Sequence, residues 1–431
     1  MNETPLPAWA SVAPLDPLID KCVHCGFCLP TCPSYLLLGQ EMDSPRGRIY
    51  MMKAGVEGRL PMTAAVVDHF DTCLGCMACE TACPSGVRYA PLVEETRAAI
   101  EHHHRRSASD TIFRNLLFQV LPYPARLRLL AGPLALAHAI KRVPALLAVL
   151  PPRLQNLLAL APGAARPGVI PERTHAQGAT RKRVGLVTGC VQQVFFGDVN
   201  EATARTLAAE GCDVLAPRSQ GCCGALALHA GQDNDARTFA KHLIAAFEDA
   251  TAVEGLDAVV INAAGCGSTM KQYGELLKDD PLWAERATVF ASKVRDVTEL
   301  LASLEPRAPR HPLEMRVAYH DACHLAHAQG IRKEPRTLLS QIPGVSIVPI
   351  GESEICCGSA GIFNLVQPEM AAELGKRKVA NLVEANADIV ATSNPGCILQ
   401  ISAAARASGQ SVPPVVHIIQ LVDASIRGTR V

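Results

Sequence analysis

The chain has 431 residues, 48% of them hydrophobic, which is enough for two or three domains with buried cores. Lys plus Arg and Asp plus Glu both number 41, so the formal charge is zero, and aromatics make up only 4%; this excludes a basic nucleic-acid surface and a base-stacking platform. No run of 18 or more uncharged apolar residues occurs, the nearest being 129–140, which Gly132-Pro133 interrupts, so no transmembrane helix is expected.

Residues 1–20 carry four prolines, Glu3 and Asp16 around no apolar core. They predict an extended or partly ordered start without a secretory signal, and a reducing cytoplasm for the 17 cysteines. Eight of these cysteines form two runs of one design, Cys22-x-x-Cys25-x-x-Cys28-x-x-x-Cys32-Pro33 and Cys73-x-x-Cys76-x-x-Cys79-x-x-x-Cys83-Pro84. Three thiolates at two-residue gaps can wrap one face of an iron–sulfur cube, and in two-cluster bacterial ferredoxins the fourth ligates the other cluster. The expected [4Fe-4S] sets are therefore Cys22, Cys25, Cys28 and Cys83 for the first cluster, and Cys73, Cys76, Cys79 and Cys32 for the second. Structural zinc instead takes two close pairs separated by a longer loop.

Between the runs, Ser44 before Pro45 predicts an N-cap and a helix to about Glu57, with a second helix near 63–71. Arg46, Arg48 and Arg88 are either cations that tune an anionic cluster or solvated partners of acidic neighbours. Residues 91–160 read as helical, punctuated by prolines. His102, His103 and His104 turn away from one another on a helix, so a solvated face is expected rather than a metal site. The apolar segment 127–160, with interspersed arginines and lysine, fits a core or subunit contact better than a lipid surface. Residues 161–182 read as a Pro/Gly-rich linker.

The second half is a duplication. Cys190, Cys222-Cys223-Gly224 and Cys266 recur as Cys323, Cys356-Cys357-Gly358 and Cys397, offset by 131–134 positions. Short β runs at 184–187, 257–261, 316–319 and 387–391 alternate with helical patterns at 198–210, 233–253, 333–341 and 368–385. This alternation predicts parallel βαβ units, with all four cysteines of each set gathered beyond the strand C-termini. A metal–sulfur or redox role is expected for at least one set; the alternative is structural or catalytic thiols without metal. His320 and His324 flank Cys323 and either tune or replace a ligand, or serve as core histidines. Cys212, at the start of a strand, reads as a buried small hydrophobe. The expected layout is α+β/α/β and multi-domain: a two-cluster ferredoxin-like module (1–100), a helical segment and linker (101–182), and two Cys-Cys-Gly domains (183–310 and 311–431).

Cys25-Gly-Phe-Cys28, Asp43-Ser-Pro-Arg-Gly-Arg-Ile-Tyr50 and Cys76-Met-Ala-Cys79-Glu-Thr-Ala-Cys83-Pro-Ser-Gly-Val-Arg88-Tyr89, followed by two Cys-Cys-Gly domains, resemble the iron–sulfur subunit of bacterial glycolate oxidase (glycolate dehydrogenase). The resemblance covers nearly the whole chain except 107–182. It implies flavin-carrying partner subunits that oxidise glycolate to glyoxylate, with this chain taking electrons onward to a quinone or another acceptor. It implies a cytoplasmic protein, with peripheral attachment to the inner face of the cell membrane as the alternative. Iron–sulfur subunits of anaerobic glycerol-3-phosphate dehydrogenase and of lactate utilisation share the architecture and mark alternative substrates; heterodisulfide reductase subunits mark a disulfide-reducing alternative. Neither Cys-Cys-Gly set ends in the Cys-x-x-Cys of some relatives: Gly-Ser-Thr follows Cys266 and Ile-Leu-Gln follows Cys397. The residues agree on the class of mechanism. Neither a Walker A motif nor a G-x-G-x-x-G opening a βα unit occurs, so a hydride acceptor must sit on another protein and no catalytic residue is expected here. A redox sensor or cluster-stabilised scaffold is the non-enzymatic alternative.

Overall fold

Short helices, two of them started by side-chain caps, frame the loops that hold the N-terminal cysteines. The computed structural model describes residues 8–130, 152–161, 168–250 and 255–431. Ser44 caps the helix Pro45–Val56 by accepting from the Gly47 N–H at 3.0 Å, and Thr63 caps Ala64–Asp71 through the Val66 N–H at 3.4 Å. With the helix Tyr89–His103 they enclose a core of Trp9, Ile19, Met52, Phe70, Leu92, Val93 and Ile100. Residues 8–20 are more ordered than their prolines predict. The prolines occupy first-turn positions of two short helices, where a missing N–H costs nothing, and the buried Trp9 indole donates to Leu60 O at 2.9 Å.

The duplicated half forms two sheets. The first runs β1 (Arg173–Thr174), β3 (Cys212–Leu215), β2 (Lys182–Val187), β4 (Ala258–Ile261), β5 (Val294–Asp296) in spatial order. The second runs β7 (Val345–Val348), β6 (Met315–Tyr319), β8 (Ile389–Thr392), β9 (Val415–His417). Apart from β1 the two orders are the same, and every pairing except β1–β3 is parallel, as the repeat requires. The expected helices appear at Gly197–Ala209, Asp233–Ala250, Lys333–Ser340 and Pro368–Glu384. β1 corrects the linker reading. It lies within the stretch read as a linker and pairs antiparallel with β3, so Arg173–Thr174 are part of the first sheet.

The two copies share one apolar core, in which Val184, Leu186 and Leu207 meet Val317, Leu338, Ile418 and Leu421. Most of the apolar segment 127–160 lies outside the described residues. Its described helix Pro152–Leu160 packs Leu157 and Leu160 against Leu117, Phe118, Ile362 and Leu365, a core contact. Among the described residues no helix is long and apolar enough to cross a membrane.

Candidate functional site

The two ferredoxin-type loops fold alike. Positive φ recurs at the same places, at His24 (53°) and Gly75 (62°), then at Gly26 (88°) and Met77 (61°), so each loop turns twice through the left-handed region between its cysteines. One cavity is lined by Cys22, Cys25, Cys28 and Cys83, with Arg46 on its wall. A second is lined by Cys73, Cys76, Cys79 and Cys32, with Ser34 and Arg48. Each cavity thus draws three thiols from one run and the fourth from the other; Cys79 also borders the first. Cys25 is exposed and Cys22, Cys28 and Cys83 are half-buried, whereas Cys32, Cys73, Cys76 and Cys79 are buried.

The donor set fits a thiolate-bound cluster. Gly75 N–H donates to Cys73 Sγ at 3.4 Å and Val87 N–H to Cys83 Sγ at 3.5 Å, bonds that favour an anionic sulfur. Burial pushes the Cys73 thiol up, but Arg48, Arg97 and the Gly75 N–H outweigh it and hold the group below its ordinary value. Cys22, Cys28, Cys76 and Cys79 are pushed up by burial, which favours the neutral thiol unless a bound cation offsets it. Arg48 is fully enclosed, donating to His69 O (2.7 Å), Ser34 Oγ (3.1 Å) and Thr72 Oγ1 (2.9 Å), with Asp43 at 3.5 Å. Arg46 pairs with Glu41 and donates to His24 O at 2.9 Å, tying the first loop to its helix, while Arg88 lies exposed near Glu80.

The Cys-Cys-Gly cysteines gather as expected beyond the C-terminal ends of three adjacent strands in each sheet. Cys190 and Cys323 follow β2 and β6, the paired cysteines follow β3 and β7, and Cys266 and Cys397 lie in the first turns of Ala264–Lys271 and Pro395–Ser408. Cys222 Sγ lies 3.5 Å from Cys190 Sγ, and Cys356 Sγ 3.9 Å from Cys323 Sγ. The glycine of each motif is required by the backbone. Gly224 (φ 81°) and Gly358 (φ 94°) are left-handed, and a Cβ there would stand 3.0 Å from Ala236 O and 2.9 Å from Ala371 O. The two rims meet: Ala264 N–H donates to Ser393 O at 3.2 Å, and the His229 and His324 rings stack 4.8 Å apart.

The second cavity abuts copy two, where Leu74, Cys76 and Ala78 pack with Cys323, Cys356 and Phe363. His320 ligand nitrogen and the sulfurs of Cys357 and Cys397 lie within 4.8 Å of one another, all buried. Burial pushes the His320 imidazole well below its ordinary range, and that of His324 down to about 3, so both are neutral. Cys212 is fully buried, as expected. The sequence reading missed Arg97, which donates to Cys73 O and, at 2.8 Å, to His229 O, and the buried Lys378 beside the copy-two thiols. Only Lys378 left a signal, a cation among Ala371, Leu374, Gly375 and Leu382 on one helix face, whereas Arg97 stands between Glu94 and Glu101.

Two interlocked cysteine runs beside twin thiol-rimmed parallel sheets define an iron–sulfur electron-transfer protein. A family described as "4Fe-4S dicluster domain" matches residues 18–87, and "Cysteine-rich domain" matches 184–271 and 317–402. The "Probable glycolate oxidase iron-sulfur subunit" of Bacillus subtilis is 38% identical over 94% of this chain and 92% of its own length. The "Glycolate oxidase iron-sulfur subunit" of Escherichia coli is 35% identical over 95% of both. "Lactate utilization protein A" of Shouchella clausii is 30% identical but matches only 56% of this chain. The chain belongs to the family of glycolate oxidase iron–sulfur subunits.

Proposed function

We propose that this chain is the iron–sulfur electron-transfer subunit of a flavin-dependent glycolate oxidase complex. A partner flavoprotein oxidises glycolate to glyoxylate, and this chain carries the electrons toward an acceptor, read here as a quinone reached from the cytoplasmic face of the membrane. Cys22, Cys25, Cys28 and Cys83 hold one [4Fe-4S] cluster and Cys73, Cys76, Cys79 and Cys32 the other; the two cavities support this pairing. Each cluster supplies one-electron redox capacity. The Cys-Cys-Gly rims, Cys190, Cys222, Cys223 and Cys266 with Cys323, Cys356, Cys357 and Cys397, are the inner redox sites. The observation that carries the reading is the alignment of thiol sites, from exposed Cys25, through the buried second cavity, to Cys323 and Cys356 packed against Cys76.

The test is co-purification from the native host. A flavoprotein partner should appear, and glycolate should bleach the cluster absorbance of this chain in the complex. Bleaching by lactate or glycerol 3-phosphate without bleaching by glycolate would overturn the substrate.

A further inference from the structure

Arg114 stands on the helix Ala108–Val120 with its side chain only 10% exposed. Its Nε donates to Asp110 Oδ2 at 2.8 Å. Its two terminal nitrogens find no hydrogen-bond acceptor among the described residues. Asp71 lies 3.7 Å from one of them but gives both oxygens to Arg106, at 2.6 and 3.1 Å. The other oxygen of Asp110 accepts from Arg153 at 3.2 Å. Arg97 is a second cation of this kind. It donates only to the backbone carbonyls of Cys73, Phe70 and His229, and no carboxylate lies within ion-pair distance of it among the described residues. A guanidinium stays charged and donates from every nitrogen, so a buried one with unmet N–H groups calls for an anion.

Both guanidiniums line one cavity at the junction of the three units. Its polar lining comes from the N-terminal half, and carries three guanidiniums, Arg97, Arg106 and Arg114, against one carboxylate, Asp71. Its apolar lining is Leu226 of copy one with Ile362, Phe363 and Val366 of copy two, and Cys73 borders it. The free space is about 40 Å³. At roughly 10–15 Å³ for one water, that is room for about three waters or for a ligand of about four or five non-hydrogen atoms. Charge, shape and size select the ligand together. A guanidinium fork matches the two oxygens of a carboxylate. The apolar lining suits a short carbon body and offers nothing to the hydration shell of a sulfate or phosphate.

We propose that this cavity binds a small carboxylate through Arg114 and Arg97, and that the bound anion lowers the potential of the second cluster. The carboxylate sits beside Cys73, and negative charge there opposes the more negative, reduced form of whatever that sulfur binds. The inference deepens the functional reading above, which supplies two carboxylates of this size, glycolate and glyoxylate; bound product would then slow its own electron flow. Acetate tests the site without that reading, so the two can fail separately.

The experiment is isothermal titration calorimetry on the full-length protein, purified anaerobically with its clusters. Acetate, glycolate and glyoxylate should each bind saturably at one site per chain, and acetamide, the neutral isostere of acetate, should not. Arg114→Met should weaken acetate binding by about tenfold or more, the equivalent of lost hydrogen bonds to a charged group. Ala230→Leu, which fills the cavity and leaves the arginines in place, should do the same, and it decides the matter if Arg114→Met does not fold. Arg218→Met, at an arginine with its side chain 82% exposed, should bind as wild type does. In potentiometric titrations of wild type, acetate should move the midpoint of the second cluster to lower potential, along the same saturation curve. No saturable binding of acetate to wild type, equal binding of acetamide, sulfate bound more tightly than acetate, unchanged affinity in Ala230→Leu, or an unmoved midpoint at saturating acetate would each overturn the proposal.

Discussion

Arg48 shows how one side chain serves both stability and redox tuning. Its guanidinium is 1% exposed and bound to three oxygens, with Asp43 as the counter-charge. Breaking a buried charge pair by removing one member costs about 3–5 kcal/mol. The same charge faces Cys73 and Cys32, so it stabilises the more negative, reduced form of whatever those sulfurs bind. Arg48→Met should lower the midpoint potential of the second cluster by at least about 60 mV, the one-electron equivalent of ~1.4 kcal/mol. Arg48→Lys, which keeps the charge but not the planar fork, should lower it far less while losing stability. Potentiometric titration followed by electron paramagnetic resonance reads both variants; a folded Arg48→Met with an unmoved midpoint would show that the residue is structural only.

At the scale of elements, the crossing of the two runs has a testable asymmetry. Cys32 stands at the N-cap of the helix Pro33–Leu38, its sulfur 3.2 Å from Ser34 Oγ, facing the second cavity. Cys32→Ser should damage the second cluster and spare the first, and Cys83→Ser should do the reverse, as read from their separate resonance signals. Loss of the first cluster in Cys32→Ser would exclude the crossed pairing. These elements were legible because cysteine spacing, the Ser-Pro cap and the strand–helix alternation are local signals. β5, β7 and β9 escaped because their three or four residues are only partly buried, whereas the equally short β4 and β8 are wholly buried runs. The proximity of His320 to Cys397 and of Lys378 to Cys357 escaped for another reason: strand order brings them together, and spacing along the chain does not encode it.

At the scale of the molecule, one imidazole joins the copies. His417, at the end of β9, has Nε2 2.8 Å from Asn262 O of copy one, and its Nδ1 accepts from Ile419 N–H at 3.2 Å. Burial pushes its pKa down to about 4. The unfolded chain takes this proton near pH 6.5, so between 6.5 and 4 the unfolded state binds more protons. The stability this residue contributes is whole above pH 6.5 and is lost as pH falls toward 4, by up to about 3 kcal/mol. His417→Asn retains an acceptor for the cap but does not titrate. Thermal unfolding against pH should show wild type ahead of this variant at pH 7, with the gap closing below about pH 5; a constant gap would mean that the imidazole is not the titrating joint.

The packing of Cys76 against Cys323, Cys356 and Phe363 also bears on the order of assembly. These residues of the C-terminal half cover Cys76, whereas the exposed Cys25 loop stays open at the surface. On the proposed ligand pairing, the inner set should take up iron and sulfide faster before the duplicated half packs against Cys76 than after, while the outer set, with Cys25 at the surface, should load at the same rate in both states.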